Sequence, residues 1–138
     1  MVKRLKATAF ALIELFRDVR TWRSARATGL SHEKDVLVIN GCPFTLEFVI
    51  LESFVVGSTV VVWFDPGQAL SVIDGFRNIC GYDLQGRLLW RCELPVSESM
   101  EACVGLISKD PIIAYTFCGY RCQIDHKTGR IVCREFTK

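Results

Sequence analysis

A chain of 138 residues can bury a sizeable core, and its 50% hydrophobic content excludes an intrinsically disordered protein. Only residues 1–26 have a net positive charge, since they carry seven Lys/Arg and two acidic residues. Residues 27–138 carry ten Lys/Arg and thirteen acidic residues. The body is therefore mildly acidic, which disfavours a general nucleic-acid-binding role. No apolar run reaches the roughly 20 residues of a membrane helix, so we expect no transmembrane segment.

Residues 4–26 are predicted to form a basic amphipathic helix, because apolar residues recur there at spacings of four and three. Its arginines could bind phosphates or an anionic membrane. The alternatives are that the helix packs on the body with its arginines facing solvent, or that the natural chain starts downstream. We assign residues 1–34 to this helix and a polar linker. The candidate binding residues of the helix are Arg17, Arg20, Trp22 and Arg23.

From residue 35 onward the composition changes to short runs of β-branched and aromatic residues separated by turn residues. We predict a single, mainly β domain over 35–138: an antiparallel meander of about eight strands with one N-terminal α-helix. Its two similar four-stranded halves cover about 44–94 and 102–136, arranged as two blades, a sandwich or a barrel. The predicted strands are 36–40, 44–55, 58–65, 76–83, 86–94, 102–108, 111–118, 119–125 and 129–136.

A hairpin pattern occurs twice in this region. Cys80-Gly81-Tyr82-Asp83 is followed by Gly86-Arg87-Leu88-Leu89-Trp90, and Cys122-Gln123-Ile124-Asp125 by Gly129-Arg130-Ile131-Val132-Cys133. Cysteine and aspartate recur at an offset of 42 residues and the glycine at 43, a spacing typical of a four-stranded propeller blade. The aspartates would accept backbone N–H bonds in the turn, the glycines would supply a positive φ, and the tryptophan would fill space between sheets. The structural turn residues are Asp83, Gly86, Trp90, Asp125 and Gly129.

The two hairpins resemble those of quinoprotein-type (PQQ-like) β-propeller blades, although Cys133 stands where the second tryptophan would be. The resemblance implies blade-like sheets. It implies no cofactor site, because such a site needs a complete ring of blades and two blades cannot form one. We therefore predict no cofactor.

The seven cysteines are an odd number, and most lie in apolar runs, which favours reduced, buried thiols in a cytoplasmic protein. We expect a protein of bacterial type. The closest approach to a metal site is Cys118, Cys122, His126 and Cys133. If Ile124 pairs with Ile131, Cys122 would lie opposite Cys133, where zinc or a disulfide would be the alternatives to structural thiols. Cys118 is about 13 Å from Cys122 along a strand, too far to share one ion, so we predict no metal.

The sequence contains two histidines and none of the common nucleophile or phosphate-binding motifs. We therefore predict a non-enzymatic binding or interaction module that acts through a protein partner or its own oligomer. The alternatives are a small-ligand-binding or hydrolytic domain with its site between the two sheets, and anionic attachment through the N-terminal helix. The polar residues that would line the site between the sheets are Glu47, Glu52, Tyr82 and Arg121.

Overall fold

The computed structural model describes residues 29–69 and 73–137. These residues form eleven strands in three open, antiparallel sheets, so the domain is mainly β as predicted. The predicted helix over 4–26 lies outside the described residues. The described residues 31–39, 43–69 and 73–137 belong to one compact unit, and the described residues of the other unit are 29–30 and 40–42.

A three-stranded sheet, which we call the small sheet, opens the described part of the chain. It consists of β1 (Leu30–Glu33), β2 (Val36–Ile39) and β3 (Cys42–Thr45), in that order. The prediction of a polar linker up to residue 34 was wrong for β1. The polar residues of this strand alternate between half-buried and exposed positions, and His32 shares a 3.0 Å hydrogen bond with the Ser53 hydroxyl.

The first four-stranded sheet follows as β4 (Ile50–Val56), β5 (Thr59–Phe64), β6 (Ile79–Tyr82) and β7 (Leu88–Arg91), paired in chain order. A 3-10 turn at Pro66–Ala69 follows β5. The single strand predicted over 44–55 is in fact two strands in two sheets. The chain leaves β3 because the backbone N–H groups of Leu46 and Ile50 bond to the carbonyls of Asp35 and Lys34.

The second four-stranded sheet comprises β8 (Cys103–Lys109), β9 (Ile112–Thr116), β10 (Tyr120–Ile124) and β11 (Ile131–Phe136), again paired in chain order. The two four-stranded sheets thus occupy the two predicted halves. The small sheet raises the strand number from the predicted eight to eleven. Its middle strand β2 coincides with the strand predicted over 36–40, whereas β1 and β3 contain polar or proline residues that weaken the sequence signal.

Side chains from both four-stranded sheets meet in one hydrophobic core. None of the three sheets is closed, which rules out the barrel arrangement that the sequence left open. The described members of this core are apolar side chains and thiols, and none of the predicted site residues Glu47, Glu52, Tyr82 and Arg121 belongs to it. The buried members of the core are Val56, Val61, Ile79, Trp90, Cys92, Cys103, Ile112, Ala114 and Ile124.

Asn78 joins the two four-stranded sheets through buried hydrogen bonds. Its Nδ2 donates to the carbonyl oxygens of Phe64 and Cys103, at 2.9 and 2.8 Å, and its Oδ1 accepts from the Cys103 N–H at 2.8 Å. Both N–H groups and the oxygen of the Asn78 amide are therefore hydrogen-bonded. These bonds fix the start of β8 against the first four-stranded sheet and leave no buried polar group of this side chain unpaired.

The two repeated hairpins use the same turn chemistry. Asp83 Oδ1 accepts the N–H groups of residues 85 and 87, both at 2.9 Å, and Asp125 Oδ1 accepts that of residue 127 at 2.9 Å. The backbone bond from Arg87 is the largest cause that holds the pKa of the Asp83 carboxyl below its usual range. Gly86 and Gly129 have φ of 80° and 75°, which favours glycine.

An aromatic ring packs against the glycine of each hairpin. A Cβ atom added at Gly86 would lie 2.4 Å from the Phe44 ring, and one at Gly129 would lie 2.5 Å from the Trp90 ring. Phe44 comes from the small sheet and Trp90 from the first four-stranded sheet. In both cases, therefore, an aromatic side chain of one sheet occupies the space left by the glycine of the next sheet's hairpin.

Candidate functional site

A pocket of about 240 Å³ opens beside β6 and β7 of the first four-stranded sheet. We call it the aromatic pocket. It lies outside the core shared by the two four-stranded sheets, and no residue of the second of these sheets is among its described lining residues. Those lining residues are Glu47, Phe48, Phe64, Gly75, Phe76, Arg77, Cys80, Tyr82 and Arg91.

Three phenylalanine rings form the apolar wall of the pocket. The Phe48 ring packs edge-on against Phe64 and Phe76, with centroid distances of 5.6 and 4.7 Å. Phe64 ends β5, whereas the other two rings come from the segments that precede β4 and β6. This arrangement is the one that aromatic rings prefer, and it leaves a rigid surface on which a flat ligand can pack.

Tyr82 supplies a buried polar group to the same pocket. Its side chain is only 8% exposed, yet its hydroxyl has no hydrogen-bond partner among the residues that the structure describes. Burial, followed by the neighbouring Cys80, raises the pKa of Tyr82 above its ordinary value of 10.0. The phenol is therefore neutral at pH 7 and can donate a hydrogen bond into the pocket.

Two arginines and one glutamate surround the pocket. Arg77 donates from Nε to the Cys92 carbonyl and from Nη2 to the Arg91 carbonyl, both at 2.7 Å. Arg91 and Glu47 approach to 3.7 Å, and both side chains are largely exposed. The position of the Arg77 charge is thus fixed by the backbone, whereas the Arg91–Glu47 contact is long and solvated and contributes little stability.

Cys80 lies beside Tyr82 on the same face of β6. Its thiol contacts the Arg77 carbonyl at 3.6 Å, and burial raises its pKa to about 12. A thiol with so high a pKa is protonated at physiological pH and is a poor nucleophile. Neither the Cys80 thiol nor the Tyr82 phenol is therefore ionised at physiological pH.

This thiol predicts a loss of stability at alkaline pH. Because the folded-state pKa of Cys80 exceeds its ordinary value of 9.0, the folded protein keeps the proton that the unfolded chain releases. The contribution of the Cys80 thiol to the free energy of unfolding is complete below pH 9. It falls by up to about 1.4 kcal/mol per pH unit between pH 9 and 12. Urea unfolding from pH 8 to 10.5 in reductant should show a shallower pH dependence for Cys80→Ala than for wild type; equal slopes would refute the assignment.

The structure brings together only some of the residues that the sequence nominated. Glu47 and Tyr82 line the aromatic pocket, whereas Glu52 on the edge strand β4 pairs with Lys109 at 2.8 Å. Arg121 lies on the second four-stranded sheet, where it pairs with Glu135 at 3.2 Å. The four nominated residues of the N-terminal helix, Arg17, Arg20, Trp22 and Arg23, lie outside the described residues.

Among the ionisable side chains of the pocket, sequence reasoning missed Arg77, Cys80 and Arg91. The sequence contained a signal for Cys80 and Arg91, because the predicted hairpin joins β6 to β7. The register of this hairpin places Cys80 directly opposite Arg91. The third, Arg77, precedes β6 in an irregular segment, and only the fold shows where its side chain points.

A larger groove of about 790 Å³ runs beside β11 but offers fewer free polar groups. Glu93 accepts the N–H of Ile131 at 2.8 Å, and Asp74 accepts the hydroxyl of Ser97 at 2.9 Å. Arg134 donates to the Pro95 carbonyl. Since these polar side chains are engaged within the protein, the smaller aromatic pocket is the better candidate for a ligand.

The cysteine cluster considered for zinc does not form. Ile124 does pair with Ile131, but a bulge between Gln123 and Ile124 then places Cys133 opposite Gln123 and not opposite Cys122. The prediction that the two thiols would face each other was wrong, since one extra residue on β11 turns them to opposite faces of the sheet. Within 29–69 and 73–137, no group of His, Cys, Asp or Glu could hold a metal ion.

The seven cysteines all lie in the described residues, and none of them forms a disulfide bond. Four are buried in the interior, which matches the expectation that most of them pack as small apolar residues. Cys118 is partly buried, and the remaining two are exposed. The buried thiols are Cys80, Cys92, Cys103 and Cys122.

Comparison with known proteins gives a family match. The model of the family described as Domain of unknown function (DUF7957) matches residues 27–136. The chain belongs to this family. The match covers all three sheets and every described residue of the aromatic pocket.

A search of curated proteins and a search of solved structures each found no match. Among the described residues, no helix has the length and apolar character needed to cross a membrane.

Proposed function

We propose that this protein is a non-enzymatic binding module that takes a small molecule in the aromatic pocket. The observation that carries the proposal is Tyr82, a pocket residue that is only 8% exposed and whose hydroxyl has no hydrogen-bond partner among the described residues. Buried polar groups in proteins are almost always paired, and an unpaired one costs about 1–3 kcal/mol. A ligand that accepts this hydrogen bond would recover that cost on binding.

The rest of the pocket supports the same function. The three packed phenylalanine rings provide apolar contact area, and a few polar groups around them can orient a ligand, which is the usual composition of a small-molecule site. At about 240 Å³ the pocket is small and suits a compound with one ring. The sequence-based alternative of a small-ligand-binding domain is thus favoured, with its site moved away from the space between the two four-stranded sheets.

Association with a protein partner or with a second copy of the chain, which the sequence also suggested, stays a prediction. Exposed apolar side chains do occur on the outer strand β11, where Val132 and Phe136 are each more than half exposed. Apolar residues scattered in this way are common on protein surfaces and do not by themselves define an interface.

The proposal predicts that removing the Tyr82 hydroxyl weakens ligand binding. Tyr82→Phe should lower the affinity for a neutral ring compound with one acceptor, such as phenylacetamide, by about 5- to 30-fold, because one hydrogen bond is lost. Isothermal titration calorimetry with benzyl alcohol, indole and phenylacetamide measures this. Indole, which offers the phenol no comparable acceptor, should bind both proteins alike.

The matched control is Tyr115→Phe, a change of the same kind on β9 of the second four-stranded sheet. It should leave every affinity unchanged. If none of the three compounds binds, or if Tyr82→Phe binds phenylacetamide as tightly as wild type does, the pocket is not the site proposed here.

A further inference from the structure

We infer that the natural ligand of the aromatic pocket is a small organic anion, a single aromatic ring that carries a carboxylate. This inference rests on the proposed function and adds the chemical class of the ligand. Four features support it: the balance of donors and acceptors, the net charge of the rim, the weak engagement of Arg91, and the aromatic wall.

Hydrogen-bond donors outnumber acceptors among the side chains of the pocket. The Tyr82 phenol and the guanidinium groups of Arg77 and Arg91 all donate, whereas Glu47 is the only charged acceptor among the described lining residues. Counted over these described residues, two positive charges and one negative charge give the pocket a net charge of +1. A ligand that complements these groups must present acceptor atoms and carry negative charge.

Arg91 is available to such a ligand. Its 3.7 Å distance from the Glu47 carboxylate is an ion-pair contact and exceeds a hydrogen bond, and no side-chain hydrogen bond engages its guanidinium among the described residues. Glu47 itself is 68% exposed and can move into solvent. A ligand carboxylate can therefore replace Glu47 and form the bidentate pair for which a guanidinium is suited.

Arg77 contributes a fixed positive charge. Two hydrogen bonds to the carbonyl oxygens of Cys92 and Arg91 hold its guanidinium in place before any ligand arrives. Preorganised charge of this kind favours an anion without the entropy cost of ordering a long side chain.

The apolar wall determines the other end of the ligand. Phe48 already packs edge-on against Phe64 and Phe76, and a further ring extends this arrangement with the same favourable geometry. The volume of about 240 Å³ equals that of about eight waters, which accommodates one ring with a short side chain.

The test compares phenylacetate with phenylacetamide, which have the same ring and nearly the same shape but differ in charge. Calorimetric titration should give an affinity about tenfold higher for phenylacetate at low salt. This preference should shrink when the ionic strength is raised from about 0.01 to 0.15 M, because the arginines are partly exposed.

Two variants test whether the preference for phenylacetate over phenylacetamide depends on the charged residues Arg91 and Glu47. Arg91→Met should remove most of the affinity advantage of phenylacetate over phenylacetamide, because the guanidinium that pairs with the ligand carboxylate is lost. Glu47→Gln should raise phenylacetate affinity a few-fold, because a competing carboxylate is lost. Arg130→Met, which removes an exposed arginine from the hairpin of the second four-stranded sheet, is the matched control and should change neither affinity.

The outcomes separate the two claims. If phenylacetamide binds as tightly as phenylacetate, the ligand is not an anion, and the binding module remains supported. If the preference for phenylacetate persists in Arg91→Met, the role given to Arg91 is wrong. If neither compound binds, the proposed function fails and this inference fails with it.

Discussion

Replacing Glu101 by alanine should destabilise the protein by about 3–5 kcal/mol, the largest effect that we expect from a single polar substitution. Glu101 is completely buried, and its carboxyl group accepts three hydrogen bonds. Oε1 accepts the N–H groups of Ala102 and Cys118, at 3.1 and 3.0 Å, and Oε2 accepts the Thr116 hydroxyl at 2.9 Å. These bonds tie the turn between β9 and β10 to the start of β8.

The alanine variant removes the acceptor for three donors at once, and each lost partner in a buried site costs about 1–3 kcal/mol. Most domains have a total stability of only about 5–15 kcal/mol, so part of the variant should be unfolded at 37 °C. The free energy of unfolding from urea denaturation, followed by circular dichroism, measures the effect.

Glu101→Gln serves as the second variant, because it keeps the shape of the side chain. Its Oε1 can accept the two N–H groups, and its amide can donate to Thr116 Oγ, so it should cost less than half as much as alanine. Glu98→Ala, an exposed neighbour, should change stability by less than about 0.5 kcal/mol. A cost below about 1 kcal/mol for Glu101→Ala would show that the network is not structural.

Truncating Trp90 to alanine should cost about 3–5 kcal/mol, because its ring fills the space between the two four-stranded sheets. The side chain is 7% exposed and belongs to the shared core. Its ring lies against Gly81 and Gly129, where added Cβ atoms would stand 2.3 and 2.5 Å away. Its Nε1 also donates to the His126 carbonyl at 2.9 Å.

Removal of the ring therefore leaves a cavity next to two glycines that have no side chains with which to fill it. Leu89→Ala is the matched control, since Leu89 is the preceding residue on β7 and lies on the opposite, solvent-facing side, 52% exposed. It should cost less than about 1 kcal/mol. Equal costs for Trp90→Ala and Leu89→Ala in urea denaturation would contradict the packing role.

The two hairpins show how much of the fold local chemistry encodes. The aspartate and glycine of each turn predict the turn directly, since an aspartate accepts nearby N–H groups and glycine alone adopts the required φ without strain. The small sheet shows the opposite case. Its strands are short and partly polar, and β1 is stabilised by its neighbours in the sheet rather than by its own composition.

The candidate pocket was foreseen only in part. Glu47 was a candidate because it is a charged residue among apolar ones, and Tyr82 because it lies in the repeated turn. Both residues line the pocket. Glu52 and Arg121 looked equivalent in sequence but pair with Lys109 and Glu135 elsewhere on the surface. Sequence spacing along one strand does not reveal which of several segments covers its face.

The sequence by itself determined the β class, the two four-stranded halves and the turns of the repeat, because strand alternation and turn conformation depend on residues within a few positions of each other. Only the tertiary structure decided that Tyr82 would be buried with no hydrogen-bond partner for its hydroxyl in the described part of the chain. It also decided that Arg77 and Arg91 would line the same pocket and that a bulge would separate Cys122 from Cys133. Each of these depends on pairing register or on packing between segments distant in sequence, and a shift of one residue reverses the face on which a side chain lies.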